Sequence, residues 1–191
     1  MADAVRADVM LMTPDEFLVQ PLPDVKAELV RGELRVTPPA GGPHLCVATN
    51  IVVLLSAYLK GRGLGRAFGD GGGYELVQLP RTVRAPDASF VRSDRLPKEG
   101  IGRGFLQLAP DLAVEVLSPS ESASELEEKL DDYRASGTPL IWVVDPVRRT
   151  VMIVACDSPL RWLHEADTLD GGEVVPGFSC GVAELFEGIA R

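Results

Sequence analysis

Glu115 stands in the middle of Asp111-Leu-Ala-Val-Glu-Val-Leu-Ser-Pro-Ser120, a run that is otherwise apolar at its centre. A carboxylate withdrawn from water costs several kcal/mol or more unless it is paired, protonated or bound to a cation, so this position requires a partner. Strand alternation over residues 112–117 puts Ala113, Glu115 and Leu117 on one face and Leu112, Val114 and Val116 on the other. A second acid, Asp87, follows a proline and opens the stretch Ala88-Ser-Phe-Val91. If the two stretches are neighbouring strands, two carboxylates point into one place, and each raises the pKa of the other unless a cation lies between them. The stretch Leu126-Glu-Glu-Lys-Leu-Asp-Asp-Tyr133 offers one. Leu126, Leu130 and Tyr133 form the buried stripe of a helix, and Lys129, three residues after the first and four before the last, shares that face. Two acids and an inward lysine suit metal-assisted phosphodiester hydrolysis. Carboxylates hold a hard divalent cation, and the lysine orients water or stabilises developing charge.

Each of these residues also has a plainer reading. Glu115 is explained equally by a buried ion pair with no metal, Asp87 by a turn or strand start, and Lys129 by a side chain running along the helix edge with its charge in water. His44 reads as packing or capping at a helix start, and Tyr133 and Trp142 read as core.

The elements that must position these groups follow from local pattern. Thr13-Pro-Asp-Glu16 starts a short helix that Pro21 and Pro23 stop. Residues 27–36 form a hairpin turning at Arg31-Gly32. Residues 45–60 are apolar nearly all round and read as a helix ending at Gly61. Strands are expected over 74–79, 88–91 and 112–117, the last apolar on both faces like a central strand. A helix begins at Ser122 or Ser124, since both fit a capping box, and ends near Gly137, before Pro139. Residues 140–145 and 150–155 pair across 146–149, and the tail over 156–191 adds a weak strand and a short helix. The sum is one α/β domain over residues 1–191, a central mixed β-sheet flanked by helices with an N-terminal β-hairpin.

Composition narrows the function. The chain has 191 residues, 46% hydrophobic and 25% charged, as a folded soluble domain requires. Uninterrupted apolar runs such as 51–55 are too short to span a bilayer, and the expected location is the cytoplasm, with no membrane partner. Cys46, Cys156 and Cys180 are widely separated and suit neither a disulfide framework nor a zinc site. With His44 and His164 the only imidazoles, any metal is expected to be hard and oxygen-bound. A net charge of −9 opposes broad nucleic-acid affinity. Residues 81–103, however, carry six basic against three acidic side chains, a local segment able to dock a phosphate backbone.

In this order, Glu28-Leu-Val-Arg-Gly-Glu-Leu34, Ala85-Pro-Asp87, Val114-Glu-Val-Leu-Ser-Pro-Ser120, Glu128-Lys-Leu-Asp-Asp-Tyr133, Gly137 and Trp142-Val-Val-Asp-Pro146 resemble the bacterial Uma-two family of restriction endonucleases. That family looks like a branch of the PD-(D/E)XK nuclease superfamily, and the resemblance spans about residues 14–155. It implies a restriction-endonuclease-like fold and an Mg²⁺- or Mn²⁺-dependent endonuclease acting on DNA. Asp87 is then the Asp of the PD motif and Glu115 the acid of the (D/E)XK motif, jointly binding the metal. Leu117 stands where the superfamily has its lysine, and Lys129 matches the lysine the family carries on the following helix. Glu28 matches an acid of the N-terminal hairpin, a further ligand or base. Glu125, Leu140 and Ile141 depart from the residues usual in the family. The superfamily's habit of cutting both strands suggests a homodimer. The alternative is a catalytically inactive nuclease-fold module that binds nucleic acid or a protein partner.

Overall fold

The computed structural model describes residues 11–22, 26–119, 121–156 and 158–190. Pro23 and Ser120, part of the sequence readings above, lie outside them. Helix α1 (Pro14–Val19) begins at the expected start, and Thr13 closes a capping box there: its hydroxyl accepts from the Glu16 amide while the Glu16 carboxylate accepts from the Thr13 amide. Strands β1 (Lys26–Val30) and β2 (Glu33–Thr37) are the expected hairpin. Both residues of its turn have positive φ, Arg31 at 51° and Gly32 at 88°, the mirror-image turn whose twist matches the flanking strands. Glycine serves a second purpose here, since a Cβ at position 32 would lie 2.8 Å from that of Leu11.

Helix α2 (Gly42–Leu59) follows, then β3 (Gly65–Gly69), β4 (Tyr74–Glu75), β5 (Val83–Arg84), β6 (Ala88–Arg92) and β7 (Leu112–Val116). Helix α3 (Ala123–Ala135), β8 (Leu140–Asp145) and β9 (Thr150–Ala155) complete the middle of the chain. The tail forms β10 (Arg161–His164), β11 (Thr168–Asp170), β12 (Ser179–Gly181) and a 3₁₀ turn (Val182–Phe186).

The central sheet has the order β10-β9-β8-β7-β6-β3, and within it only β7 and β8, joined through α3, run parallel. The hairpin belongs to a second, antiparallel sheet, β2-β1-β5-β4. The chain passes from the second sheet to the central one across Ala85, Pro86 and Asp87, which separate β5 from β6.

The alternation read along β7 is present. Leu112, Val114 and Val116 join Val47, Ile51 and Leu55 of α2 and Trp142 in the main core, whereas Ala113 packs with Leu130 and Tyr133 of α3 and with Ile141 and Val143. Glu115 therefore faces α3. Two expectations need revision. Residues 74–79 pair as a strand only at Tyr74 and Glu75, because Leu79 donates back to the Leu76 carbonyl in a turn before Pro80. In addition α2, with 18 residues and a mean hydropathy of 1.5, is long and apolar enough to cross a membrane by length and composition, which reading uninterrupted runs overlooked. Its Val47, Ile51, Leu55 and Leu59 are instead buried in the core, and it packs against β3, β6, β7 and the 3₁₀ turn.

Of the two candidate starts for α3, Ser122 is the cap: its hydroxyl accepts from the Glu125 amide at 3.2 Å, and the Glu125 carboxylate accepts from the Ser122 amide at 2.8 Å. Ser122→Ala is expected to cost about 1 kcal/mol, and to lower the melting temperature by about 2–4 °C in differential scanning calorimetry.

Candidate active site

The antiparallel ladder of β6 and β7 ends with Ala88 opposite Val114, and Asp87, the residue before it, lies close enough for its charge to act on Glu115. The Asp87 amide donates to the Val114 carbonyl at 2.9 Å, tying the residue to β7 just before its own strand begins. Both carboxylates are buried, Asp87 at 2% and Glu115 at 1% exposure, so each needs its charge answered nearby.

Asp87 is answered from three directions. The Val116 amide donates to Oδ2 at 2.7 Å, and His44 Nε2, in the first turn of α2, lies 3.1 Å from the same oxygen. The ammonium of Lys26, from β1, contacts Oδ1 and is also 3.0 Å from Asp70. Burial opposes the Asp87 charge, but the hydrogen bond from His44 and the charge of Lys26 prevail and hold its pKa well below the usual 3.8. Burial likewise opposes the charge on Lys26, and Asp87, Glu115 and Asp70 together overcome it and raise its pKa.

Glu115 is answered by α3. Lys129 Nζ is 3.0 Å from Oε2, and the Tyr133 hydroxyl donates to Oε1 at 2.8 Å. Lys129 also meets Glu121 at 2.8 Å. Here burial prevails: it raises the Glu115 pKa above the usual 4.5, Lys129 pulls it down, and Asp87 pushes it further up. Two adjoining carboxylates thus have pKa values displaced in opposite directions, a pattern concentrated at functional sites.

Glu28 lies on the same wall, and both its oxygens are engaged. Oε2 accepts from Arg84 at 3.0 Å and Oε1 from the Ala85 amide at 2.8 Å. It anchors the segment leading into Asp87, which differs from the free ligand or base expected of it. Arg84, 3% exposed, reaches on to Asp132 of α3 at 2.6 and 2.9 Å, and Arg31 meets Asp132 and Glu128 from the hairpin turn. These ion pairs fasten the second sheet to the helix that carries Lys129.

Lys26, Glu28, His44, Asp87, Glu121 and Lys129 line one cleft of about 710 Å³. Of the four residues expected from sequence, Glu28, Asp87 and Lys129 thus share this cleft, whereas Glu115, 1% exposed, lies buried behind it and meets it through Lys129; Lys26, His44, Tyr133, Arg84 and Asp132 join them. Alternation along β1 puts Lys26 on the face of Glu28, the one sequence signal that it points inward. The hydroxyl of Tyr133 and the charge of Asp132 were concealed by their helix positions, beside residues that pack and residues that face water.

The basic segment over 81–103 is not one basic face. Arg84 is buried in the ion pairs above, Arg92 is paired with Asp94, and Arg95 with Asp111, so much of its charge is already answered.

The oxygen donors fit a hard divalent cation. Among the described residues no group of three His, Cys, Asp or Glu side chains could by itself hold a metal. The Asp87 and Glu115 pair offers two carboxylates, the number with which Mg²⁺ is commonly held when water and substrate phosphate complete its shell.

A family model named Uma2, described as "Putative restriction endonuclease", matches residues 14–183, further than the stretch that carries the sequence resemblance. Among solved structures, a crystal structure titled as a "putative nuclease belonging to DUF820" from Anabaena variabilis superposes with a TM-score of 0.78. It is 22% identical, covers 92% of this chain and 97% of its own, and shows the fold. No curated protein matches the chain.

Proposed function

The chain belongs to the Uma2 family described as "Putative restriction endonuclease", and on that premise we propose that it is a divalent-metal-dependent endonuclease hydrolysing phosphodiester bonds of DNA. The observation that supports this reading is a pair of buried carboxylates, Asp87 lining the cleft and Glu115 behind it, each paired with a lysine, Lys26 or Lys129, that lines the same cleft. Asp87 and Glu115 would hold Mg²⁺ or Mn²⁺. When bound, that cation supplies electrophilic activation of the scissile phosphate and acidifies the attacking water. Lys129 keeps a positive charge against Glu115 and is placed to orient the nucleophile. Tyr133 fixes the Glu115 rotamer through Oε1, and the Val116 amide and His44 fix Asp87 through Oδ2. Glu28 acts as a positioning residue through Arg84 and the Ala85 amide. A homodimer in the cytoplasm, cutting both strands, completes the proposal.

The test is plasmid cleavage by the purified protein with Mg²⁺ or Mn²⁺. The expected result is cleavage that excess chelator abolishes and added metal restores. Cleavage indifferent to chelator would overturn the metal role. A second reading, a non-cleaving module on the nuclease fold, draws on the neutralisation of both acids by lysines and on the net charge of −9. It gains if no cleavage occurs and Mn²⁺ does not bind.

The opposed pKa shifts give a pH dependence whose signs differ. Asp87, lowered on folding, contributes stability that is present above 3.8 and lost as pH falls towards its folded value. Glu115, raised on folding, holds its proton more tightly in the folded chain, so its contribution is present below 4.5 and lost as pH rises through its folded pKa. A cation competes with that proton. Mn²⁺ affinity is therefore expected to rise with pH above 4.5 until Glu115 is ionised, with proton release detectable by calorimetry in buffers of different ionisation enthalpy. The release should be absent in Glu115→Gln.

A further inference from the structure

A cation already occupies the position beside Asp87. Lys26 Nζ contacts Asp87 Oδ1 and lies 3.0 Å from Asp70 Oδ1, so one ammonium spans two carboxylates in unlike surroundings. The Asp87 side chain is 3% exposed and that of Asp70 38%. Lys26 comes from β1 on a four-carbon stem whose terminal torsions let Nζ shift between neighbouring oxygens without moving the strand. The lining of the cleft holds six acids against four Lys or Arg residues, a net negative charge that favours the entry of a cation. A divalent cation at Asp87 and an ammonium on the same carboxylate repel one another strongly, and the two cannot share it without cost.

Building on the endonuclease reading, we propose that Lys26 holds the cation position at Asp87 in the metal-free protein and passes its ammonium to Asp70 when a divalent cation binds Asp87. The exchange leaves Asp87 neutralised in both states. The displaced ammonium ends at the more exposed carboxylate, at the open side of the cleft, where the phosphate of an incoming strand would meet it. Cation affinity is then set by a competition internal to the chain as well as by the ligands themselves.

The experiment is a double-mutant cycle read by Mn²⁺ binding in isothermal titration calorimetry, on the full chain without nucleic acid. The set is wild type, Lys26→Gln, Asp70→Asn and the double variant. Lys26→Gln is expected to tighten Mn²⁺ binding by about tenfold or more. Asp70→Asn is expected to weaken it by about tenfold when Lys26 is present, and by less than about threefold when it is not, because Asp70 acts by receiving the ammonium. Lys26→Met, which keeps the aliphatic stem packed, repeats the cycle if Lys26→Gln folds poorly. Equal effects of Asp70→Asn in both backgrounds would mean a simple field of charge, and would overturn the exchange. So would Mn²⁺ binding that Asp87→Asn abolishes but Lys26 replacement leaves unchanged; in that case the metal role of Asp87 stands. If wild type and all variants fail to bind Mn²⁺, the metal reading falls and the exchange falls with it.

Discussion

Asp87→Asn and Glu115→Gln are each expected to lower Mn²⁺-supported plasmid cleavage by about 10³-fold, equivalent to about 4 kcal/mol of transition-state stabilisation. Both replacements keep the shape of the side chain and remove one anionic ligand. The two sites differ in what is left behind. At Asp87, Lys26 loses its deepest counter-charge, and the Val116 amide and His44 lose a charged acceptor, so some loss of stability accompanies the loss of activity. At Glu115 a charge that burial disfavours is removed, and Lys129 keeps Glu121, so the melting temperature should stay close to wild type. Glu115→Gln is therefore the sharper test, since an inactive protein of unchanged stability separates chemistry from folding. Activity within tenfold of wild type in both variants would remove these carboxylates from the mechanism.

Arg84→Met is expected to destabilise the fold by about 3 kcal/mol or more, because breaking a buried ion pair by removing one partner strands the charges that remain. Arg84 answers Glu28 on one side and Asp132 on the other, and all three side chains are under 9% exposed. Glu28 retains the Ala85 amide and Asp132 retains Arg31, which places the effect near the lower end of that range. For a chain of this size the melting temperature should fall by about 10 °C in calorimetry. Arg31→Ala, which removes a half-exposed guanidinium from Asp132 and Glu128, is expected to cost about 1 kcal/mol or less. Similar losses for the two arginines would mean that burial does not set the worth of these pairs.

The part of the site legible in sequence is the part that periodicity reports. Alternation along β7 turned Glu115 towards one face, the i, i+4, i+7 stripe of α3 turned Lys129 inward, and a short loop between the two elements makes their meeting a local event. The partners of Asp87 obey no such rule. Lys26 lies 61 positions away and α2 intervenes, so their contact exists only once two sheets have packed. Charge counting misled for the same reason: Arg84 contributed to an apparent basic segment, yet tertiary packing buries it between two acids. Strand β3 escaped notice because Gly65-Arg-Ala-Phe-Gly69 is short and ends in glycine on both sides, so only its pairing with β6 makes it a strand.

The passage of the chain from one sheet to the other at Ala85, Pro86 and Asp87 divides the centre into two halves of unequal durability. The Glu115 half is internal to the β7–α3–β8 unit and survives any disturbance that leaves this unit folded. The Asp87 half depends on Glu28 of the hairpin, which anchors the segment leading into Asp87 through Arg84 and the Ala85 amide, and the hairpin is fastened to the rest by the Leu29 and Val83 pairing and by the arginine ion pairs. Partial opening of the hairpin would therefore silence the centre while the central sheet stays intact, so inactivation by heat would run ahead of global melting.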